Sequence, residues 1–384
     1  MKLRKSCLLA LSVTVVLYLF SCQIYPSLQH AQTSSITPAN STLGFGTILA
    51  VSHAHSPRRP GLLWAANLTD IDIVIPEQPA WTPHDITAFR AEQGSTISNG
   101  SARAWLGHLH VLRHFLATTH TTALILEDDV DFSLFLRHTQ IPLLAAALRT
   151  LLPSPRSYWP SPASYTLLYP GHCDDLPSPA TYLSHPSTIY RDPSTPPSAL
   201  LHPDTAHFLA TLRVPRSARV LHRAIYPFCT FAYAVHRASA ALILETWARE
   251  SDAGVDAFDV ALLSSCRDRG WVCWSVSPEL FHHVRGRSEI AWVDRWGAGA
   301  GAVELGSSEE SRKDAGRRRA LGTWNLECAA RHEDLWVEEG DGEGRARAKE
   351  VVADMVRKGE CVLDKAEEEK QWAGCEWGEC GAQS

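Results

Sequence analysis

A fully apolar run that stops at three acidic residues is the feature that most constrains this chain. Residues 123–126 read Ala-Leu-Ile-Leu, and Glu127, Asp128 and Asp129 follow directly. Because apolar residues occupy both alternating positions, both faces of this strand should be buried, as in a parallel sheet covered by helices. Ligands of open α/β sheets bind outside the carboxyl ends of the strands. The acidic residues therefore predict a ligand-binding edge.

The chemistry of this edge favours a cation. Three consecutive carboxylates repel one another, and partial burial strengthens the repulsion. A divalent ion relieves it, and oxygen ligands suit Mn²⁺ or Mg²⁺. A fourth carboxylate, Asp131, stands two residues further on. The alternative is a solvated acidic turn that caps a helix.

Strand and helix patterns alternate over residues 45–290, which predicts an α/β domain. Expected strands are 47–51, 71–75, 123–126, 165–169 and 271–277, and expected helices are 101–119 (capped by Ser101), 237–249 and 256–269. Residues 153–203 are rich in proline and are expected to be mostly loop. Neither a GxSxG nucleophile motif nor a GxGxxG dinucleotide motif occurs in the sequence.

The N-terminus predicts entry into the secretory pathway. Lys2, Arg4 and Lys5 precede an uncharged, largely apolar stretch over 7–22. That stretch fits either a retained signal anchor, giving a single-pass type II protein of the Golgi or ER membrane, or a cleaved signal peptide, giving a secreted protein. Both interpretations place the body of the chain in the lumen. We therefore expect a cytosolic tip and anchor over 1–22 and a polar stem over 23–44.

Composition sets further limits on the 384-residue chain. Apolar residues make up 45%, enough for a sizeable core, and a net charge of −6 argues against a nucleic-acid partner. Asn40, Asn67 and Asn99 head N-glycosylation triplets. Eight cysteines follow the apolar stretch. This even number permits disulfides, but the sequence does not give their pairing, and buried free thiols are the alternative. The eight cysteines are Cys173, Cys229, Cys266, Cys273, Cys328, Cys361, Cys375 and Cys380.

Several segments together resemble glycosyltransferase family 25, and its fungal branch most. The run ALILEDDVDF is similar to the family's acidic signature. Similar segments occur in the same order over about 45–290: Ala50-Val51-Ser52 with Arg59, Arg103 to His108, Tyr165 to Cys173, Cys229 to Val235, Val255-Asp256, and Ser277 to Leu280. Four positions depart from the family pattern: Arg103 replaces a glycine, Ala104 a cysteine, Gly107 a serine and Phe231 a histidine, whereas His108 is kept.

The resemblance implies a GT-A-like (Rossmann-like) mixed sheet with helices on both faces in a domain over 45–296. It also implies a nucleotide-sugar donor, with galactose from UDP-galactose the most favoured, and inverting transfer to a glycan or glycoprotein hydroxyl. From their glycine content and mixed charge, residues 297–384 are expected to form a charged, partly disordered extension. Expected donor-binding residues are Ser52, Arg59, His108, Glu127 and Asp128, with Asp129 and Asp131 on the metal.

Direct inversion also needs a base for the acceptor hydroxyl, and a carboxylate is the usual choice. Asp256 and Asp259 are the candidates, at the start of a predicted helix, where charge complementarity with the helix is their alternative role. We expect His108 either to contact the donor or to be packed in the core. Two other functions stay open: a catalytically inactive lumenal binding module, which Gly107 and Phe231 favour, and a secreted hydrolase with paired carboxylates.

Overall fold

The computed structural model describes residues 37–152, 157–173, 175–250, 255–284 and 322–361. Within these ranges lies a mixed sheet of nine strands with helices on both faces. The strands are β1 (Thr47–Val51), β2 (Thr122–Glu127), β3 (Val130–Phe132), β4 (Leu167–Gly171), β5 (Ser187–Arg191), β6 (Ala218–Arg223), β7 (Ala232–His236), β8 (Cys273–Ser277) and β9 (Phe281–His283). The α-helices are α1 (Arg59–Leu68), α2 (Pro83–Phe89), α3 (Asn99–Ala117), α4 (Ile141–Leu151), α5 (Pro179–Leu183), α6 (Pro203–Thr211), α7 (Arg237–Thr246), α8 (Phe258–Asp268) and α9 (Gly342–Lys358).

The strand order is β1-β2-β7-β4-β8-β6-β5. The β1–β2 and β4–β8 pairs are parallel, whereas β2–β7, β7–β4, β8–β6 and β6–β5 are antiparallel. Strand β3 pairs with β9, which in turn joins β4. The expected mixed α/β sheet is therefore confirmed, although β2 has a parallel neighbour on one side only.

Strand β2 is buried on both faces, as its sequence predicts. Leu124 and Leu126 belong to one apolar cluster, whereas Ala123 and Ile125 belong to the cluster on the opposite face. All four residues are at most 1% exposed. Helices α1, α4 and α9 cover the first face, and helices α3, α7 and α8 cover the second.

Helix α3 forms two residues earlier than its pattern predicts. The cap is Ser98, whose side chain accepts a hydrogen bond from the Ser101 backbone N–H at 3.0 Å. Trp105 and Leu109 are fully buried along the predicted apolar stripe. The helix therefore presents His108, between them in sequence, to the interior as well.

The predicted strand over 71–75 is wrong except at one residue. Val74 pairs with β1, its N–H donating to the Ile48 carbonyl and its carbonyl accepting from the Ala50 N–H. The Asp72 N–H instead donates to the carbonyl of Ser41, so the preceding residues follow a loop rather than the sheet edge. The alternating pattern therefore corresponds to a single bridge at Val74 rather than to a strand.

The proline-rich region contains more regular structure than its composition predicts. Strand β5 and helix α5 both lie in it, and β4 begins at Leu167 rather than at Tyr165. The Thr166 and Leu167 N–H groups both donate to the carbonyl of Val272, which fixes the register beside β8. Prolines at the first turns of α5 and α6 are compatible with helix starts, because the proline lacks only an N–H that would be unpaired there.

The domain extends beyond both expected boundaries. Ala39 and Leu43, assigned to the stem by the sequence, are buried in the core. In the expected C-terminal extension, residues 322–361 pack against the domain: Ala330 donates to the Phe132 carbonyl, Leu134 donates to the Cys328 carbonyl, and Val352 on α9 is 2% exposed. The segment packs against the domain because its apolar groups are buried there, an outcome that its mixed charge does not predict.

Three disulfides link six of the eight cysteines: Cys173–Cys229, Cys266–Cys273 and Cys328–Cys361. Cys375 and Cys380 lie outside the described residues, as does the predicted membrane anchor over 7–22. Among the helices of the described ranges, none is long and apolar enough to span a bilayer.

Candidate active site

The carboxyl ends of β1 and β2 form one edge of the sheet. These strands are parallel with Val51 opposite Glu127, so the residues that follow them lie side by side. The Ser52 hydroxyl donates to Asp128 Oδ2 at 2.6 Å, and both side chains are buried. Both residues were expected to bind the donor, and the parallel pairing of β1 with β2 places them at the same edge.

Strand β7 delivers residues to the same edge from the opposite direction. Because β7 runs antiparallel to β2, the residues before it meet the end of β2. The Glu127 N–H donates to the Phe231 carbonyl at 3.0 Å, and the Thr230 hydroxyl donates to Glu127 Oε1 at 2.6 Å. Thr230 was not predicted, although it lies within a segment that carries the family resemblance.

His108 reaches the edge from α3. Its Nε2 lies 3.4 Å from Glu127 Oε1, its Nδ1 lies 3.1 Å from the Tyr233 hydroxyl, and its ring stacks on Phe258. Burial favours the neutral form of Glu127, but hydrogen bonds from His108 and Thr230 and the charge of His108 outweigh it and lower the pKa of Glu127. His108 is thus both packed and aimed at the acidic edge, and Glu127 is held ionised.

Asp129 is a carboxylate at this edge whose ionised form is disfavoured. Its Oδ2 pairs with Arg58 Nη1 at 3.2 Å, whereas its buried Oδ1 has no hydrogen-bond partner among the described residues. Burial, together with the negative charges of Glu127 and Asp128, raises the pKa of Asp129 to about 7 despite the opposing charges of Arg58 and Arg331. An additional positive charge here would stabilise the ionised form.

Arg58, rather than Arg59, contacts Asp129. Arg59 is the first residue of α1, and its buried Nε has no hydrogen-bond partner within the part of the chain that the structure describes. The two arginines are adjacent between two prolines, so no sequence signal could separate them. Both nevertheless follow the carboxyl end of β1.

Asp131 lies in a different environment from Asp129. Its Oδ2 accepts from the Thr323 hydroxyl at 2.6 Å, and its Oδ1 accepts from the backbone N–H groups of Arg331 and Phe132. Burial still raises its pKa. Both carboxylate oxygens are therefore engaged by donors of the chain, and Asp131 anchors the C-terminal segment.

The two candidate bases, Asp259 and Asp256, lie in different environments. Asp259, in the first turn of α8, accepts from the Cys229 N–H at 3.2 Å and from the Val260 N–H at 2.9 Å. Burial raises its pKa, and the nearby charge of Glu127 adds to the rise. Asp256 precedes the helix and is exposed. The structure thus brings Asp259, and not Asp256, into the electrostatic field of the acidic edge.

Phe231, which departs from the family pattern, stacks on the ring of His283 in β9 (ring centroids 4.9 Å apart). Burial, together with the charge of His282, lowers the pKa of His283 to about 4, while Glu127 opposes the shift. A neutral imidazole therefore lies beside the acidic edge. Sequence reasoning missed it, because β9 is only three residues long.

The described residues contain no group of three or more His, Cys, Asp or Glu side chains preassembled around a metal. An ion such as Mg²⁺ does not need a preassembled group of this size, because it is usually bound through one or two carboxylates together with substrate phosphates and water. The unpartnered Oδ1 of Asp129 supplies one such oxygen. The residues present therefore fit a cation that arrives with a phosphorylated ligand.

No family model matches the sequence, and no curated protein matches it. Among solved structures, the chain is similar to a glycosyltransferase involved in the glycosylation of the major capsid of PBCV-1, at 12% identity. That match covers 65% of this chain and 96% of the other, with a TM-score of 0.26. A TM-score this low does not establish a common fold.

Proposed function

We propose that this protein is an inverting glycosyltransferase of GT-A type that transfers a sugar from a nucleotide-sugar donor to a hydroxyl of a glycan or glycoprotein. The observation that carries the proposal is the acidic edge at the carboxyl ends of β1 and β2. There Asp129 combines a buried, unpartnered oxygen with an ion pair to Arg58. Such an edge is where open α/β sheets bind their ligands.

The donor's diphosphate is the part of the substrate that this edge suits. Arg58 is the cation closest to Asp129, and a guanidinium matches phosphate oxygens well. Asp129 would hold Mn²⁺ or Mg²⁺, and that ion would supply charge stabilisation for the departing diphosphate. Ser52 fixes Asp128, and Thr230 with His108 fixes Glu127, so both carboxylates keep defined positions.

Asp259 is the proposed base. The acceptor oxygen forms a bond to the anomeric carbon as the bond from that carbon to the diphosphate oxygen breaks. The hydroxyl proton passes to Asp259, and the bonding electrons leave with the nucleoside diphosphate. A carboxylate whose pKa is raised by burial accepts a proton more readily than an exposed one.

We further propose galactose as the sugar, UDP-galactose as the donor and the secretory lumen as the compartment. The first two follow from the resemblance to glycosyltransferase family 25. Three disulfides support an oxidising compartment, since such bonds are rare in the cytosol. Asn40, Asn67 and Asn99 are all exposed, as glycosylation acceptors need to be.

The test is a screen of UDP- and GDP-sugars for nucleotide release, with and without EDTA. Asp259→Asn should abolish turnover, and Asp256→Asn is the matched control, because it makes the same exchange at an exposed carboxylate three residues away. Asp129→Asn should remove the dependence on added cation together with most of the activity. Equal activity in Asp259→Asn and Asp256→Asn would contradict the assignment of Asp259 as the base.

A binding module without catalysis is the second candidate, which Phe231 favours because it replaces a histidine of the family pattern. Its ring now packs against His283. Calorimetric titration of UDP with Mn²⁺ separates the two candidates. Binding without release of nucleotide from any donor favours the module, whereas turnover excludes it.

A further inference from the structure

Arg331 connects three parts of the chain at the acidic edge, although it lies about 200 residues away in sequence. Its Nη1 donates to the carbonyls of Asp128 and Val130, each at 2.8 Å. Its Nη2 donates to the carbonyl of Arg58 at 3.1 Å. One guanidinium thereby joins the turn between β2 and β3 to the loop that carries Arg58.

The planar shape of the guanidinium makes this connection specific. Arginine presents several N–H donors in a fixed plane, so its partners are held at fixed relative positions. The Arg58 loop leads directly into α1, and the turn contains Asp129. Arg331 therefore holds the backbones on either side of the Arg58–Asp129 ion pair.

The C-terminal segment (residues 322–361) keeps Arg331 in place. The Arg331 N–H and the Thr323 hydroxyl both donate to the carboxylate of Asp131, and the Cys328–Cys361 disulfide closes the segment. Space is also tight, because a Cβ at Gly61 would lie 2.8 Å from Arg331 Nη2. The guanidinium has little freedom to move, which is the condition for a rigid support.

We infer that Arg331 is a positioning residue for diphosphate binding, which acts by holding Arg58 opposite Asp129 and does not itself touch the substrate. The inference depends on the proposed function. It assigns to the C-terminal segment a part in donor recognition. Supports of this kind around an ion-binding group are worth about 10- to 100-fold in affinity or activity.

The principal experiment measures UDP binding with Mn²⁺ by calorimetry, using the full chain. Arg331→Ala should weaken binding by about 10- to 100-fold, and added guanidinium ion should restore part of it. Arg345→Ala is the matched control. Arg345 lies in the same segment, donates to the Val337 and Glu338 carbonyls and covers the Trp64 ring, contacts that involve no residue of the acidic edge.

Two further variants distinguish positioning from a general loss of folding. Gly61→Ala pushes on the guanidinium without removing it, so binding should weaken, while the higher helix propensity of alanine offsets part of the cost of the close contact to thermal stability. In the Arg58→Ala background, Arg331→Ala should have little further effect, because coupled residues are not additive. Arg331→Lys should fall between wild type and Arg331→Ala.

Each outcome decides the matter. Weaker binding in Arg331→Ala and Gly61→Ala, with Arg345→Ala unchanged, supports the inference. Wild-type affinity in Arg331→Ala, or fully additive losses with Arg58→Ala, overturns it while leaving the proposed function intact. If Arg331→Ala does not fold, Gly61→Ala and Arg331→Lys decide by the same criterion. A wild-type protein that binds no UDP overturns both.

Discussion

Replacing Asp129 with asparagine removes a buried negative charge while keeping the shape of the side chain. The pKa of Asp129 rises from 3.8 to about 7 in the folded protein. Between these values the folded state binds a proton that the unfolded state does not. Stability therefore falls as pH rises through this window, and the full loss is present above pH 7. Asparagine is neutral throughout, so it escapes that loss.

The size of the effect follows from the shift. About three pKa units at about 1.4 kcal/mol each correspond to about 4 kcal/mol of destabilisation by the ionised carboxylate. This figure already includes the attraction of Arg58, which opposes the rise in the pKa of Asp129, and asparagine resembles the neutral carboxyl, so the ion pair needs no separate correction. We expect Asp129→Asn to be more stable than wild type by about 4 kcal/mol at pH 8 and to lie within about 0.5 kcal/mol of it at pH 4, where the folded-state carboxyl is protonated.

Urea unfolding at pH 4 and pH 8, with disulfides intact and no divalent cation, measures the difference directly. Asp354→Asn is the control, because Asp354 is an exposed carboxylate whose pKa is lowered by its hydrogen bond from Lys358. Its substitution should show no gain at pH 8. Adding Mn²⁺ with UDP at pH 8 should stabilise the wild type and not Asp129→Asn, since ligands stabilise only the state that binds them. An advantage of equal size at both pH values would refute the buried-charge explanation.

Three further outcomes are expected. The rate of sugar transfer should rise with pH through the raised pKa of Asp259, so its acid limb should lie above the range of an ordinary aspartate in a kcat/KM profile. His108→Phe should raise the pKa of Glu127 and weaken donor binding, measured by calorimetry, because Glu127 loses a hydrogen-bond donor. Replacing both cysteines of the Cys328–Cys361 bond by serine should lower the free energy of unfolding by about 2–4 kcal/mol, since the bond closes a long loop; a change below about 0.5 kcal/mol would contradict the tight docking of the C-terminal segment.

Local patterns predicted the elements that carry strong local signals. Strand β1 has its predicted bounds, β2 extends its predicted run by one residue at each end, and α3 differs by two residues, because apolar periodicity reports burial directly. The family resemblance also put Ser52 and Asp128 at one site, and their side chains do make a hydrogen bond. The strand over 71–75 failed although its alternation was real, since the N–H groups of Ile71 and Asp72 donate to carbonyls outside the sheet.

Contacts distant in sequence could not be predicted from local patterns. Thr323 and Arg331 lie in a segment whose glycine content and mixed charge indicate a solvated tail, and nothing in it points to a partner some 200 residues earlier. The choice between Asp256 and Asp259 likewise depended on where α8 begins. Disulfide pairing was open for the same reason, because only the fold brings Cys173 to Cys229.

The span of chain that builds the acidic edge has a consequence for biosynthesis. Arg331 bonds to the carbonyl of Asp128, 203 residues earlier. At roughly 5–20 residues per second, a ribosome needs roughly 10–40 s to make that stretch. A nascent chain therefore carries its acidic run without the hydrogen bonds of Arg331 for that time, and the edge reaches its final arrangement only after Arg331 has emerged.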